Sequence, residues 1–294
     1  EDASALYEKL ASDALADGDM SAAAEALSQA AAGASGNRQA GLQLERAELL
    51  WMRGAQVDEA TAALRALLGT SNLSMPLQMR ARCVLAQVEM EAGRPNEADR
   101  TLIPAEELAA HVHEADELAY LRLTRAEIDQ MRGAWCQAEA IIDLLEDGEA
   151  LPVWARRQAE ILRAREELFM GRSLKAAARL SELVSEADSP HRLEVIMDQI
   201  WAALHLHQVH EAVLAQRRAE RLLNDSKSLW FEYRLDLLGA LIEQEDLGLA
   251  ASEERFNRAL VQADEAGMKR QALEAIVWRM HRCSERGEEG SEVL

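Results

Sequence analysis

The chain has 294 residues, enough for two ordinary globular domains or one extended repeat array. It carries 54 Ala, only 5 Pro and 15 Gly, with 4% aromatic residues, which disfavours a sheet-built fold and favours helix throughout. The formal net charge is −20, from 52 acids against 32 bases, so a nucleic-acid backbone or an anionic membrane surface would on average be repelled.

A short pattern recurs along the chain. It reads Asp17-Gly18-Asp19-Met20-Ser21-Ala22-Ala23, then Arg53-Gly54-Ala55-Gln56-Val57-Asp58-Glu59-Ala60. Ala92-Gly93-Arg94-Pro95-Asn96-Glu97-Ala98 and Arg132-Gly133-Ala134-Trp135-Cys136-Gln137-Ala138 follow. Met170-Gly171-Arg172-Ser173-Leu174-Lys175-Ala176 is the fifth, and Leu206-His207-Gln208-Val209-His210-Glu211-Ala212 the sixth, with His207 in the glycine position. The marker residues are spaced by 36, 39, 40, 38 and 36. A fixed period of this size predicts stacked helix pairs, each unable to bury its apolar stripe alone.

Each period predicts one helix before the glycine and one after it. Glycine suits the end of the first helix because it accepts positive φ without a Cβ penalty. In the fourth unit Leu118, Leu121, Arg122, Arg125, Ala126 and Asp129 trace the first helix, and Ala138, Ile141, Ile142 and Leu145 stripe the second. In the fifth, Ile161, Ala164 and Leu168 precede Ala176, Leu180 and Leu183. Ala86, Ala126 and Ala164 are small enough to let two backbones approach at the hairpin crossing. A seventh unit has Gly239, Phe256 and Ala259 as anchors, and a closing helix is expected from about Lys269 to His281. The array is expected to run over 1–283 and the tail over 284–294. Gly33-Ala34-Ser35-Gly36-Asn37 reads as a flexible link between the first two units.

The spacing of small residue, Gly, Ala, large apolar residue and Ala resembles the tetratricopeptide repeat. The match runs as Ala11, Gly18, Ala23, Leu27 and Ala30, and again as Ala86, Gly93, Ala98, Leu102 and Ala105. The other units follow the same frame, more loosely in the sixth and seventh. The period exceeds the family's usual 34 residues, and such longer units are similar to the sensor regions of large bacterial transcriptional activators. The resemblance implies an all-α, right-handed superhelical solenoid of antiparallel helix hairpins. It implies a non-enzymatic module that binds a peptide or helix of a partner protein in its concave groove. An effector-sensing regulatory domain, responsive to a small molecule, and a self-associating structural spacer are the alternatives.

Carried onto this chain, the family's inward positions put Trp51, Met52, Arg80, Tyr120, Glu127, Gln130, Arg165, Phe169, Trp201 and His205 on the partner-binding wall. Trp, Tyr, Phe and Met suit an apolar or amphipathic partner, and Glu127, Gln130 and Arg165 add directed hydrogen bonds. The carboxylate clamp of Lys and Asn known in the family is missing, since these positions carry Glu, Gln, Leu and Trp. Between Glu97 and Glu149 fourteen acids face four bases, half of the total net charge, which a basic partner would relieve.

Other chemistry is thinly represented. Cys83, Cys136 and Cys283 are far apart and odd in number, so no disulfide framework or ligand pair can be read, and a reducing, cytoplasmic setting is expected. Glu1 in place of Met points to a trimmed or processed chain. His205, His207 and His210 lack the converging ligands of a zinc site; His207 is expected at a helix end, its positive charge suiting the dipole. No phosphate-loop, nucleophile-elbow or metalloprotease motif occurs, so no cofactor and no catalysis are expected. No apolar run approaches the length needed to span a bilayer.

Overall fold

A computed structural model describes residues 3–17, 19–52, 56–146, 152–186, 189–226 and 228–286. Fifteen α-helices and no strand occur among them. They are α1 (Ala3–Asp17), α2 (Met20–Gly33), α3 (Gly36–Met52), α4 (Val57–Leu68), α5 (Met75–Glu91), α6 (Pro95–Ala109), α7 (Ala115–Met131) and α8 (Trp135–Glu146). Then come α9 (Val153–Phe169), α10 (Ser173–Glu186), α11 (Ser189–His205), α12 (Val209–Ser226), α13 (Leu229–Leu247), α14 (Leu249–Glu265) and α15 (Lys269–Arg286). Odd-numbered helices through α13 are the first members of hairpins, and even-numbered ones the second. The chain is an all-α repeat of helix hairpins, as the period predicts.

The turn between hairpin partners is built the same way each time. Gly93, Gly133 and Gly171 have φ of 72°, 75° and 72°, the left-handed conformation expected of them. The amide after each reaches back five residues: Arg94 N–H to the Glu89 carbonyl, Ala134 to Asp129, Arg172 to Glu167. These bonds satisfy carbonyls that a helix end leaves open. Gln208 N–H bonds the Ala203 carbonyl in the same way, and His207 adopts φ 56° in the glycine position. Gly18 and Gly54 lie outside the described residues.

The helices form two compact units, Glu1–Glu166 and Glu167–Leu294. In the first, α3 packs on α5 and α5 on α7, while among the described residues the second helices make no comparable contact with one another. The side of the first helices is therefore a continuous inner wall, and the second helices stand apart behind it. The expected small positions Ala86 and Ala126, and the anchors Ala98, Leu102, Ala138, Ile142 and Leu145, are all fully buried. One cluster joins Met79, Cys83, Ala86, Leu102, Val112 and Ile128; the next joins Ala119, Ala126, Ile142, Ala155 and Leu162. Each hairpin thus completes its neighbour's core.

In the second unit α11 packs on α13 and α13 on α15, and Ile200, Ala212, Phe256 and Ala259 fill the interior. The expected flexible link at residues 33–37 shrinks to Ala34 and Ser35, because α2 runs through Gly33 and α3 starts at Gly36. Ser4 packs under Gly33 and donates to the Ala30 carbonyl, which holds that corner. The closing helix continues to Arg286, beyond the expected His281. Residues 287–294 of the expected tail lie outside the described residues.

Candidate functional site

The inner wall of the first unit carries a ladder of polar and aromatic side chains on successive first helices. Arg80 on α5 lies over the Tyr120 ring of α7, its guanidinium carbon 3.4 Å from the ring centre. The Arg80 Nε also pairs with the Glu48 carboxylate of α3 at 3.3 Å. The Tyr120 hydroxyl donates to Gln87 of α5, whose amide donates to Glu127 of α7 at 3.2 Å. Trp154 on α9 tilts against Tyr120, ring centres 6.4 Å apart, and its indole N–H donates to Asp116 at 2.9 Å. The 40-residue offset from Arg80 to Tyr120 and from Gln87 to Glu127 puts these pairs at matching positions of successive first helices.

Charge on this wall is unbalanced toward acid. Burial raises the pKa of Glu117, which Arg80 lowers and Glu48 raises again. One oxygen of Glu117 is shielded from solvent and has no hydrogen-bond partner. Burial, then Glu48 and Glu8, likewise raise Glu45. Tyr120 is pushed above the ordinary phenol range by burial of its hydroxyl, despite Arg80. Cys83, behind the ladder, is fully buried and its thiol is pushed up to about 12, chiefly by burial.

The expected wall residues do not all stand together. Arg80, Tyr120 and Glu127 form the ladder. Trp51 is half-buried, with its indole N–H shielded and unbonded, and Met52 beside it is exposed. Gln130 is buried to 7% exposure and donates to the Leu162 carbonyl at 3.0 Å, so it ties α7 to α9 instead of facing the open wall. Arg165 is half-buried, and Phe169 is 63% exposed at the end of α9.

Trp201 and His205 belong to the second unit, where Trp278 of α15 covers them. The Trp201 and Trp278 rings meet edge to face at 5.6 Å, and His205 meets Trp278 at 4.5 Å. Burial, then His281, His207 and Arg282, push the His205 pKa down to about 4. The closing helix thus sets one of the chain's own rings against these two residues. Trp278 and Trp154 carry no signal in the repeat frame. Both lie outside the marker pattern, and only the packing of α15 and α9 reveals them.

The acidic stretch from Glu97 to Glu149 is partly neutralised from within. Arg125 pairs with Asp99 and Glu106, Arg132 with Asp99, and Arg163 with Glu139, Asp143 and Glu146. Asp147 and Glu149 lie outside the described residues. Among the described residues no group of three or more His, Cys, Asp or Glu converges as for a metal ion. No helix there is long and apolar enough to cross a membrane. At His207 the ring Nδ1 lies 3.0 Å from Arg282 Nη2. Arginine can only donate, so Nδ1 is the acceptor in this contact, and the residue stands at the end of α11 where it is expected.

No protein-family model matches the sequence, and no curated protein matches it. Among solved structures, a tetratricopeptide repeat protein from Parabacteroides merdae ATCC 43184 is similar. It shares 14% identity, with a TM-score of 0.50 over 94% of this chain and 100% of that one. At this identity the likeness is one of fold.

Proposed function

We propose that this tetratricopeptide-like chain is a non-enzymatic binding module whose first unit holds a basic segment of a partner protein on its inner wall. The observation that carries the reading is Glu117, a half-buried carboxylate with a shielded oxygen that no donor reaches. It stands beside Glu48, Arg80 and Tyr120. Keeping such a group is unfavourable for the free protein, and a partner cation placed there would remove the penalty. Tyr120 and Trp154 supply apolar faces beside it, the combination found at the energetic centres of protein interfaces. Arg80 stacked on Tyr120 illustrates the guanidinium geometry that the wall accepts. Trp51, Met52 and Glu127 extend the surface along α3 and α7.

The test is selection of binders from a random peptide display library with the intact chain and with an E48Q/E117Q variant. The expected result is enrichment of Lys- and Arg-containing peptides that the variant no longer retains. Peptides without charge preference, or peptides held equally by both proteins, would overturn the reading.

Self-association has its own observation. Leu273, Val277 and Met280 are 45–64% exposed along one face of α15. An apolar stripe of this kind favours burial against another surface. Sedimentation velocity of the intact chain and of an L273K/V277K variant tests this reading. A concentration-dependent dimer lost in the variant supports it, and a monomer in both rejects it.

A further inference from the structure

Behind the inner wall, where α4 and α6 stand apart, a cleft of about 450 Å³ opens over α5. Its lining is Arg65, Leu85, Glu89, Arg94, Glu97, Arg100 and Thr101. Three guanidinium groups from two helices and a helix cap converge there, on a chain whose net charge is −20. We infer that this cleft is a binding site for a phosphoryl group, distinct from the inner wall.

The cleft is organised from below. Glu89 is 2% exposed, and both its oxygens are engaged: Oε1 accepts from Arg65 Nη2 at 2.9 Å and Oε2 from the Thr101 hydroxyl at 2.7 Å. The buried carboxylate therefore orients Arg65 and Thr101, and its burial keeps it from facing an incoming anion directly. Arg65 is 55% exposed at its side chain, which leaves its remaining N–H groups open to the cleft. Arg94 reaches Glu97 through Nη1 at 3.5 Å, while its Nε is shielded from solvent and has no acceptor. Arg100 has no hydrogen bond or ion pair among the described residues. Arg94 stands at the N-cap position of α6, whose first turn adds the positive end of a helix dipole.

Glu97 is the one opposing charge with a free edge. It lies at 3.5 Å from Arg94 and 4.0 Å from Arg65, and is about half exposed. A bound anion would displace it toward solvent. The donor count selects the ligand. A phosphoryl group brings about −1.5 to −2 of charge on three acceptor oxygens to the three guanidiniums, against −1 on the two oxygens of a carboxylate, and so matches the cleft better.

The test is titration of the intact chain with inorganic phosphate at low ionic strength, followed by the arginine Nε–Hε resonances. Saturable shifts of Arg65, Arg94 and Arg100 are expected. R100Q removes a side chain with no internal partner, so its fold is preserved, and its phosphate affinity is expected to fall about tenfold. E117Q on the inner wall leaves the phosphate response unchanged, which keeps this site separate from the peptide reading. Repeating the titration with phosphoserine in a short peptide identifies the source of the group. Tighter binding than phosphate points to a phosphorylated partner, and weaker binding to a small phosphate ester; either supports the site. Absence of saturable arginine shifts, an unchanged affinity in R100Q, or acetate binding as tightly as phosphate would overturn it.

Discussion

The Arg80 guanidinium lies flat enough on Tyr120 that its central carbon is 3.4 Å from the ring centre, while Tyr120 bonds Gln87 of the Arg80 helix. One tyrosine thus joins α5 and α7 by its face and by its hydroxyl. The two contributions separate by substitution. Y120F keeps the ring under Arg80 and is expected to cost about 1 kcal/mol for the lost hydrogen bond. Y120L loses the cation–π contact as well, adding roughly 0.5–2 kcal/mol. Urea denaturation resolves both steps, and equal midpoints for the two variants would show that the stacking contributes nothing.

Glu117 sets stability against binding. Its pKa is raised in the folded chain, first by burial. A carboxylate with a raised folded pKa ionises more easily when unfolded, so stability declines as pH rises from the unfolded value through the folded one. At neutral pH E117Q is therefore expected to melt slightly higher than the parent chain while binding basic peptides less well. A variant that melts lower would show that Glu117 is held by favourable contacts.

The turns were legible in the sequence because one requirement, positive φ, selects one residue type at one spacing. That is why Gly93, Gly133 and Gly171 mark the hairpins, and why His207 could be placed despite its different side chain. The buried anchors were legible for a similar reason, since each small or apolar residue recurs at a fixed offset. The wall was less so. Gln130 fits the inward frame, yet its amide bonds the Leu162 carbonyl, a backbone group 32 residues away that no local pattern announces. Trp201 and His205 fit it too, and Trp278 from the closing helix covers them. Long-range covering of one repeat by another is set by geometry between helices, which periodicity does not encode.

The backbone at His207 yields a separate test. A non-glycine residue at φ 56° is strained by roughly 1–2 kcal/mol, whereas glycine is not. H207A and H207G both remove the contact with Arg282, so their difference reports the backbone alone. H207G is expected to be the more stable by about 1 kcal/mol, and G133A to lose a similar amount from the parent chain. Equal stability of H207A and H207G would mean that the turn relaxes.

His205 makes the second unit sensitive to acid. Its pKa is pushed down to about 4 in the folded chain from an ordinary 6.5, chiefly through burial, then through His281, His207 and Arg282. With the folded pKa depressed, both states are neutral above 6.5 and the group has no effect there. Between about 6.5 and 4 the unfolded chain takes up a proton that the folded chain refuses, so stability falls as pH falls. The slope from this residue is at most about 1.4 kcal/mol per pH unit, less for the part of the ring that solvent reaches. H205Q is expected to flatten the dependence of the urea midpoint on pH in this window. Tryptophan emission, to which Trp201 and Trp278 contribute, follows the transition, and an unchanged slope in H205Q would assign the acid sensitivity elsewhere.

Arg234 and Asp198 join α13 to α11 by a 2.7 Å bond between side chains 5% and 2% exposed. Two further Arg234 nitrogens, Nε and Nη1, are shielded from solvent without an acceptor. A buried pair of this kind must offset the removal of two charges from water, and incomplete hydrogen bonding makes that harder. Its net contribution is therefore expected to be small, although loss of either partner alone is severe. D198A strands a buried guanidinium and is expected to cost about 3–5 kcal/mol. The double variant D198L/R234M removes both charges and keeps apolar volume, and should cost less than D198A alone. Guanidinium chloride denaturation of D198L, R234M and the double variant closes the cycle, and additive losses would mean that the two residues stabilise the fold independently.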